Sequence, residues 1–362
     1  MPSHCTQKTL LVLVALGSIA TGLFVSYMAI HAPNKPQFAD YFTASVDKLR
    51  SHFGFVPHER ILPAHWPYAH DIEQAYMSIV RVFVDLVESR FGKGAFLLIF
   101  SMVAPCSGFA TTEAVKPHRH AFMSAIAITI IFSLGQLICI GAALPIFYIP
   151  GYALVRAFRP KEVFPQRPFS ASALPLLHLM PLLMGLPTLL CVFVPVDHPY
   201  YFYANSAFQF FPLALSALVV YGLFARDTPT LRSTDLAAMY RQGALASTAL
   251  YWASLYLLLP TLRDLYEHKP VYINDAIQLI LWDAVGVLAT LVFIVLIDTI
   301  ADPVPAGVVQ RPNLHGCKTS RILKTVGIAS IFGPGAAMQL YFANREEAVS
   351  EHNAMLVKLK KQ

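Results

Sequence analysis

Eight stretches of the chain are apolar over a length that matches the roughly 20 helical residues needed to cross a bilayer core of about 30 Å. They lie near residues 10–30, 94–112, 121–149, 173–195, 200–224, 242–260, 275–297 and 322–342. The pattern predicts an all-α, polytopic transmembrane helical bundle of about eight spans, with residues 1–362 forming a single membrane domain. The first stretch exceeds the apolar region of a signal peptide, although Ala29 and Ala32 imitate a small-residue cleavage pattern, so an uncleaved first span is expected. Residues 32–93 form the longest polar stretch, with Pro33, Pro36, Pro57, Pro63 and Pro67 in its first part. From Ile72 to Phe91 a helical period returns: Arg81, Asp85 and Glu88 follow i, i+4, i+7 spacing, while Ile79, Phe83, Leu86 and Val87 turn elsewhere. This predicts one interfacial amphipathic helix lying along the membrane surface.

Composition agrees with that picture. Of 362 residues, 56% are apolar and only 13% charged, and the mean hydropathy is +0.54, more apolar surface than a water-soluble domain can hide within itself. The excess of 27 Lys+Arg over 21 Asp+Glu is scattered through short loops with no basic stripe or RNA-binding motif, so nucleic acid is not expected as a partner. In a membrane protein the excess sets orientation. Residues 156–172 (Arg156, Arg159, Lys161, Arg167), residues 225–241 with three arginines, and residues 298–321 (Arg311, Lys318, Arg321) share one side, which predicts that side as cytoplasmic and both termini as lumenal. The basic tail with Lys358, Lys360 and Lys361 points the other way. No disulfide framework or zinc site is implied by the five single cysteines, of which Cys106, Cys139 and Cys191 fall in apolar runs.

An ionisable residue within a span is costly and is a functional candidate by default. Asp283 is the clearest case, about 12 Å of helix beyond Asp275 at 1.5 Å per residue. Asp275, Gln278, Trp282, Asp283, Gly286 and Thr290 share one face, expected to look inward, and Ile277, Leu281, Ala284, Leu288 and Val295 share the other. Asp283 reads either as an acid or as polar glue between helices. Tyr201, Asn205, Gln209, Pro212 and Ser216 form a similar uncharged face, Gln136 lies on a face with Thr129 and Ser133, and His178 is placed to look into the same interior or to be an ordinary core residue. Glu113 closes Cys106-Ser-Gly-Phe-Ala-Thr-Thr-Glu113, either beside a cavity or solvated at the interface. In the last span Gly333-Pro334-Gly335 should kink or break the helix. Beyond it Gln339, Phe342 and Glu346 share a face, and Arg345, Glu346 and Glu347 read alternatively as a charged membrane exit.

Several chemistries lack their motifs. The 13 histidines form no HxxxH or HxxHH set, and His118 with His120 makes only an isolated HxH. Walker A, HExxH and Rossmann glycine patterns are missing, as are DDxxD and DxDD, which leaves metal-dependent ionisation of a diphosphate without support. No metal or organic cofactor is expected, and protons are the expected reagent.

Three stretches then combine: Gly135-Gln136 leading into Ala143-Leu-Pro-Ile-Phe-Tyr148, next Ile280-Leu-Trp-Asp283, and finally Phe332-Gly-Pro-Gly-Ala-Ala to Arg345-Glu346-Glu347. Together they resemble the fungal integral-membrane terpene cyclases of meroterpenoid, ascofuranone-like secondary metabolism and related proteins of indole-diterpene pathways. That resemblance implies a metal-independent isomerase in the endoplasmic reticulum membrane, cyclising a farnesyl chain, epoxidised and attached to an aromatic head. Its expected partners are this lipophilic prenylated aromatic substrate, membrane lipid and other enzymes of the same pathway. Asp283 and Glu346 fall in the resembling segments. Asp283 would give the proton, with Glu113 or Glu346 as relay or final base. Trp282 would stabilise the cation by cation–π attraction worth up to about 2 kcal/mol; Asn205, Gln209, Gln136 and Gln339 complete the expected substrate-binding set. A membrane transporter or a non-catalytic accessory protein is the competing class, although neither an internal repeat nor a run of intramembrane charges marks a transporter here.

Overall fold

The structure is a computed structural model, and it describes residues 4–31, 62–63, 65–115, 124–158, 169–170, 174–217, 220, 230–231, 233–301 and 327–359. The regular structure among the described residues is helical apart from a two-residue antiparallel pairing of β1 (Phe169–Ser170) with β2 (Thr230–Leu231). The helices are α1 (His4–Ile30), α2 (Ala69–Glu88), α3 (Arg90–Val115), α4 (Ala125–Ile138), then α5, α6 (Leu174–Phe193), α7 (Tyr201–Gln209), α8 (Ser233–Tyr266), α9 (Asp275–Ala301) and α10 (Pro334–Leu359). α5 is composite: Ile140–Ala143, a π-helical turn Leu144–Tyr148, and Ile149–Phe158.

Among the described residues, six helices are long and apolar enough to cross a membrane, namely α1, α3, α5, α6, α8 and α9. Their outer surfaces carry large apolar side chains. On α9 these are Val285, Leu288, Val292 and Leu296, one stripe at helical spacing, and on α6 Leu182 and Leu186. Water would penalise such stripes, whereas lipid does not. α3 lies at the centre, with 83% of its apolar window buried against 17% for α8, and it packs on α2, α6, α8, α9 and α10. α1 closes the other side against α5 and α9.

Helix ends follow local chemistry. Ser124 accepts from the Ala127 amide at 3.2 Å and caps α4. Asn274 caps α9 by accepting from the Ile277 amide at 2.8 Å and also donates to the Asp85 carbonyl of α2 at 3.0 Å. Between α2 and α3 the chain turns so tightly that a Cβ on Gly92 would sit 1.7 Å from the Leu86 carbonyl oxygen, so only glycine fits there.

Small residues set the crossings, as expected where helix association depends on close packing. The Ser254 hydroxyl of α8 donates to the Gly94 carbonyl of α3 at 2.8 Å. A Cβ on Gly335 of α10 would lie 2.0 Å from the Ser101 carbonyl oxygen of α3, and one on Gly286 of α9 would lie 2.0 Å from that of Gly141 in α5.

The helix boundaries depart from the apolar stretches in four places. The 121–149 stretch is divided at Cys139, whose φ of 78° breaks the helical ladder. The 200–224 stretch begins as the nine-residue α7 and passes at Phe211–Leu215 into a 3₁₀ turn. Arg156 and Asp298, assigned by charge to loops, lie inside α5 and α9 because both helices continue past their apolar cores. His178 is on the outer surface of the bundle instead of facing inward. The expected break at Gly333 is present, with φ at 91°, and α10 starts directly after it. The proline-rich segment through residue 61, Lys116, Arg119, His118 and His120, and the basic loops at 159–168, 221–229 and 302–326 lie outside the described residues, as do residues 322–326 of the last apolar stretch and the tail residues Lys360 and Lys361.

Candidate active site

Helical spacing brings short polar and aromatic stripes from five helices to one place. α3 supplies Phe109 and Glu113 at i, i+4; α5 supplies Tyr148, Tyr152 and Arg156 at i, i+4, i+8; α10 supplies Tyr341, Phe342, Arg345 and Glu346; α8 adds Tyr240 and α9 adds Asp298. At 3.6 residues per turn each of these sets falls on one face of its helix.

Arg345 is the hub. Its Nη1 donates to Glu113 Oε1 at 2.9 Å and to Glu346 Oε1 at 3.3 Å, and its Nε lies 3.3 Å from Asp298 Oδ2. Asp298 also accepts from the Tyr152 hydroxyl, from Tyr341 at 3.1 Å and from Arg156 Nη2 at 3.5 Å. Arg345 Nη2 in turn donates to the Tyr152 oxygen at 3.4 Å, so the phenol links the guanidinium to the carboxylate. The carboxyl residues Glu113, Asp298 and Glu346 are 6%, 3% and 2% exposed.

Apolar rings enclose this network. Phe109 stacks on Phe342 at 4.6 Å and meets Tyr152 edge-on at 5.4 Å. Tyr240 lies 5.4 Å from Phe342, and the Arg345 guanidinium sits over the Phe109 ring at 5.3 Å. A cation is therefore already held over a π face here.

Three carboxyl groups face two guanidiniums. Among the described residues these five groups, when ionised, carry one more negative than positive charge. Buried carboxyl groups held this way are candidate proton donors and acceptors.

The sequence candidates divide between this network and four other places. Glu113 and Glu346 meet on Arg345. Gln339 is nearby on α10, packed on Gly243 of α8. Asp283 is elsewhere: its Oδ1 accepts from the Gly141 amide. Some 22 Å of α9 separates it from Asp298 at 1.5 Å per residue. It acts as the N-cap that Cys139, without a side-chain bond of its own, does not provide for α5. Trp282 packs edge-on against Phe24 of α1 at 5.7 Å. Asn205 donates to the Val80 carbonyl of α2 at 3.1 Å and accepts from Gln209 at 3.1 Å, joining α7 to α2. Gln136 is half-buried on α4.

Comparison with protein-family models, with curated proteins and with solved structures returns no match. The reading of the site therefore rests on its own chemistry. Among the described residues, no three His, Cys, Asp or Glu side chains are grouped so as to hold a metal ion; the three carboxyls are engaged with guanidiniums instead.

The partner of Asp283 makes a test possible. Asp283→Asn keeps an acceptor for the Gly141 amide and is expected to accumulate and melt like the parent. Asp283→Leu leaves that buried amide unpaired, at a cost of about 1–3 kcal/mol, and is expected to lower Tm. Normal folding of Asp283→Asn with turnover lost would instead return Asp283 to the role of acid.

Proposed function

We propose that the chain is a membrane-bound, metal-independent terpene cyclase in which a proton from the Glu113–Arg345–Glu346–Asp298 network starts cyclisation of an epoxidised farnesyl chain borne by an aromatic head. The observation that carries this reading is the convergence of three buried carboxyls on one guanidinium beside the Phe109, Phe342, Tyr152 and Tyr240 rings. The resemblance of the 135–148, 280–283 and 332–347 segments to fungal membrane cyclases supports the same substrate class.

The chemistry follows from the groups present. A protonated carboxyl gives its proton to the epoxide oxygen; the C–O bond breaks, the oxygen becomes a hydroxyl and the positive charge passes to carbon. Alkene π electrons then close the rings. The carboxylate left behind takes back the proton lost from the final cation, so the product is an isomer of the substrate. The aromatic walls stabilise the cation without capturing it, and the apolar bundle keeps out water that would. On this reading the chain crosses the endoplasmic reticulum membrane about eight times, with α2 along its surface, and receives its lipophilic substrate from the bilayer beside other enzymes of its pathway.

The test is expression in a host supplied with an epoxyfarnesyl phenol. The expected product has unchanged mass, and Glu113→Gln and Glu346→Gln at matched membrane levels are each expected to lower its formation, the larger effect reaching about 10²-fold, the scale of a positioned general acid. EDTA is expected to leave the rate unchanged. Activity abolished by EDTA and restored by magnesium would remove the proton-initiated mechanism.

A further inference from the structure

Tyr148 stands apart from the other phenols of the site. It is 2% exposed, yet among the described residues its hydroxyl has no hydrogen-bond partner. Tyr152, one turn later and stacked on it at 6.5 Å, has its hydroxyl bound to Asp298 and Arg345. A buried donor left unbonded costs stability, and a phenylalanine would fill the same space without that cost.

The surroundings say where such a donor is useful. Glu113, Tyr240, Arg345 and Cys106 are its electrostatic neighbours, and Phe109 meets its ring edge-on at 6.4 Å. The residue ends the π-helical turn Leu144–Tyr148, an irregularity that re-aims side chains and is common at functional sites. On α3, a Cβ added at Gly108 would make ordinary contact with the Tyr240 ring, at 3.8 Å, whereas one at Gly141 would meet backbone at 2.1 Å. An unbonded donor and a carboxyl group thus lie in one aromatic cluster.

We propose that the Tyr148 hydroxyl is a ligand-binding group that donates a hydrogen bond to an acceptor oxygen on the apolar molecule handled by this site, holding that oxygen beside Glu113. The inference deepens the cyclase reading and rests on it for the reaction, but the binding it asserts is measurable without turnover.

The experiment uses the full-length protein in detergent, with an epoxyfarnesyl phenol and the farnesyl phenol lacking the epoxide oxygen as probes. The parent is expected to bind the oxygenated probe about tenfold more tightly, the scale of one good hydrogen bond. Tyr148→Phe is expected to reduce that preference to about twofold or less while its unliganded Tm equals or exceeds the parent's. Tyr152→Phe, which loses a bonded hydroxyl, is expected to lower Tm and keep the preference. Equal binding of both probes by the parent, an unaltered preference in Tyr148→Phe, or failure of Tyr148→Phe to fold would each overturn the proposal. If neither probe is converted, the cyclase reading falls and the binding comparison still decides the role of Tyr148.

Discussion

Arg345→Met is expected to leave little folded protein in the membrane. The parent guanidinium lies within 2.9 to 3.3 Å of Glu113, Glu346 and Asp298. Methionine fills much of the same volume but returns none of the charge, so Glu113, Glu346 and Asp298 lose the guanidinium they share, while Asp298 keeps Arg156 at 3.5 Å. Stranding a buried charge by removing its partner costs about 3–5 kcal/mol, against a total stability of roughly 5–15 kcal/mol for a typical folded protein. Arg345→Lys keeps a positive charge but loses the planar fork that reaches three oxygens in different directions, so it is expected to fold with a reduced Tm. Combining Arg345→Met with Glu113→Gln and Glu346→Gln removes the stranded charges and is expected to recover folded, inactive protein. Size-exclusion profiles and melting curves of the solubilised variants measure all three. Arg345→Met that accumulates and melts like the parent would show that the network is not a closed electrostatic unit.

Parts of this site were visible along the chain and parts were not. Glu113, closing an apolar span, and Glu346, on a face with Gln339 and Phe342, were visible as candidates that could equally be solvated at a membrane exit. But Arg345 and Glu113 are 232 residues apart, and nothing local says that they meet. Arg156 and Asp298 lie near the ends of apolar stretches, where a charge has the same sequence signature whether it snorkels to water or turns inward. The i, i+4, i+8 spacing of Tyr148, Tyr152 and Arg156 was the available signal, since a basic residue in register with two phenols marks one polar face on an otherwise apolar helix. Asp283 illustrates the converse. An acid in mid-span has to be buried and bonded, and that requirement is met as well by capping a neighbouring helix as by catalysis.

The same physics accounts for the fold. Apolar length marks most of the helices long enough to cross a membrane, because no water-exposed alternative suits them. Their interruptions are harder to place. Pro105 lies within α3 and Pro145 within the π-helical turn of α5, and both helices continue past them. The break between α4 and α5 falls at Cys139, a residue with no intrinsic preference for φ near 78°. It is stabilised from outside, by the Asp283 carboxylate receiving the Gly141 amide. A tertiary bond therefore supplies what the local sequence does not.

That junction gives the second large effect. Gly286→Val is expected to abolish folded protein, and Gly286→Ala to lower Tm sharply. At this crossing the α5 and α9 backbones touch: a Cβ on Gly286 would be 2.0 Å from the Gly141 carbonyl oxygen, and one on Gly141 would be 2.1 Å from that of Asp283. The obstruction is backbone, which cannot rotate away as a side chain can, so even one methyl group drives the helices apart. Overpacking of this kind costs about 1–3 kcal/mol or more, and separation also breaks the bond between Asp283 and Gly141, leaving a buried amide unpaired at about 1–3 kcal/mol. The same two helices carry Tyr152, Arg156 and Asp298 at their far ends, so any Gly286→Ala protein that folds is expected to hold the charge network out of register and to lose turnover. Gly108→Ala is the control, because its added methyl group meets nothing closer than 3.8 Å and alanine favours the helix by up to about 1 kcal/mol. It should melt at or above the parent. Gly286→Val melting with the parent would show that α5 and α9 are not locked at this crossing.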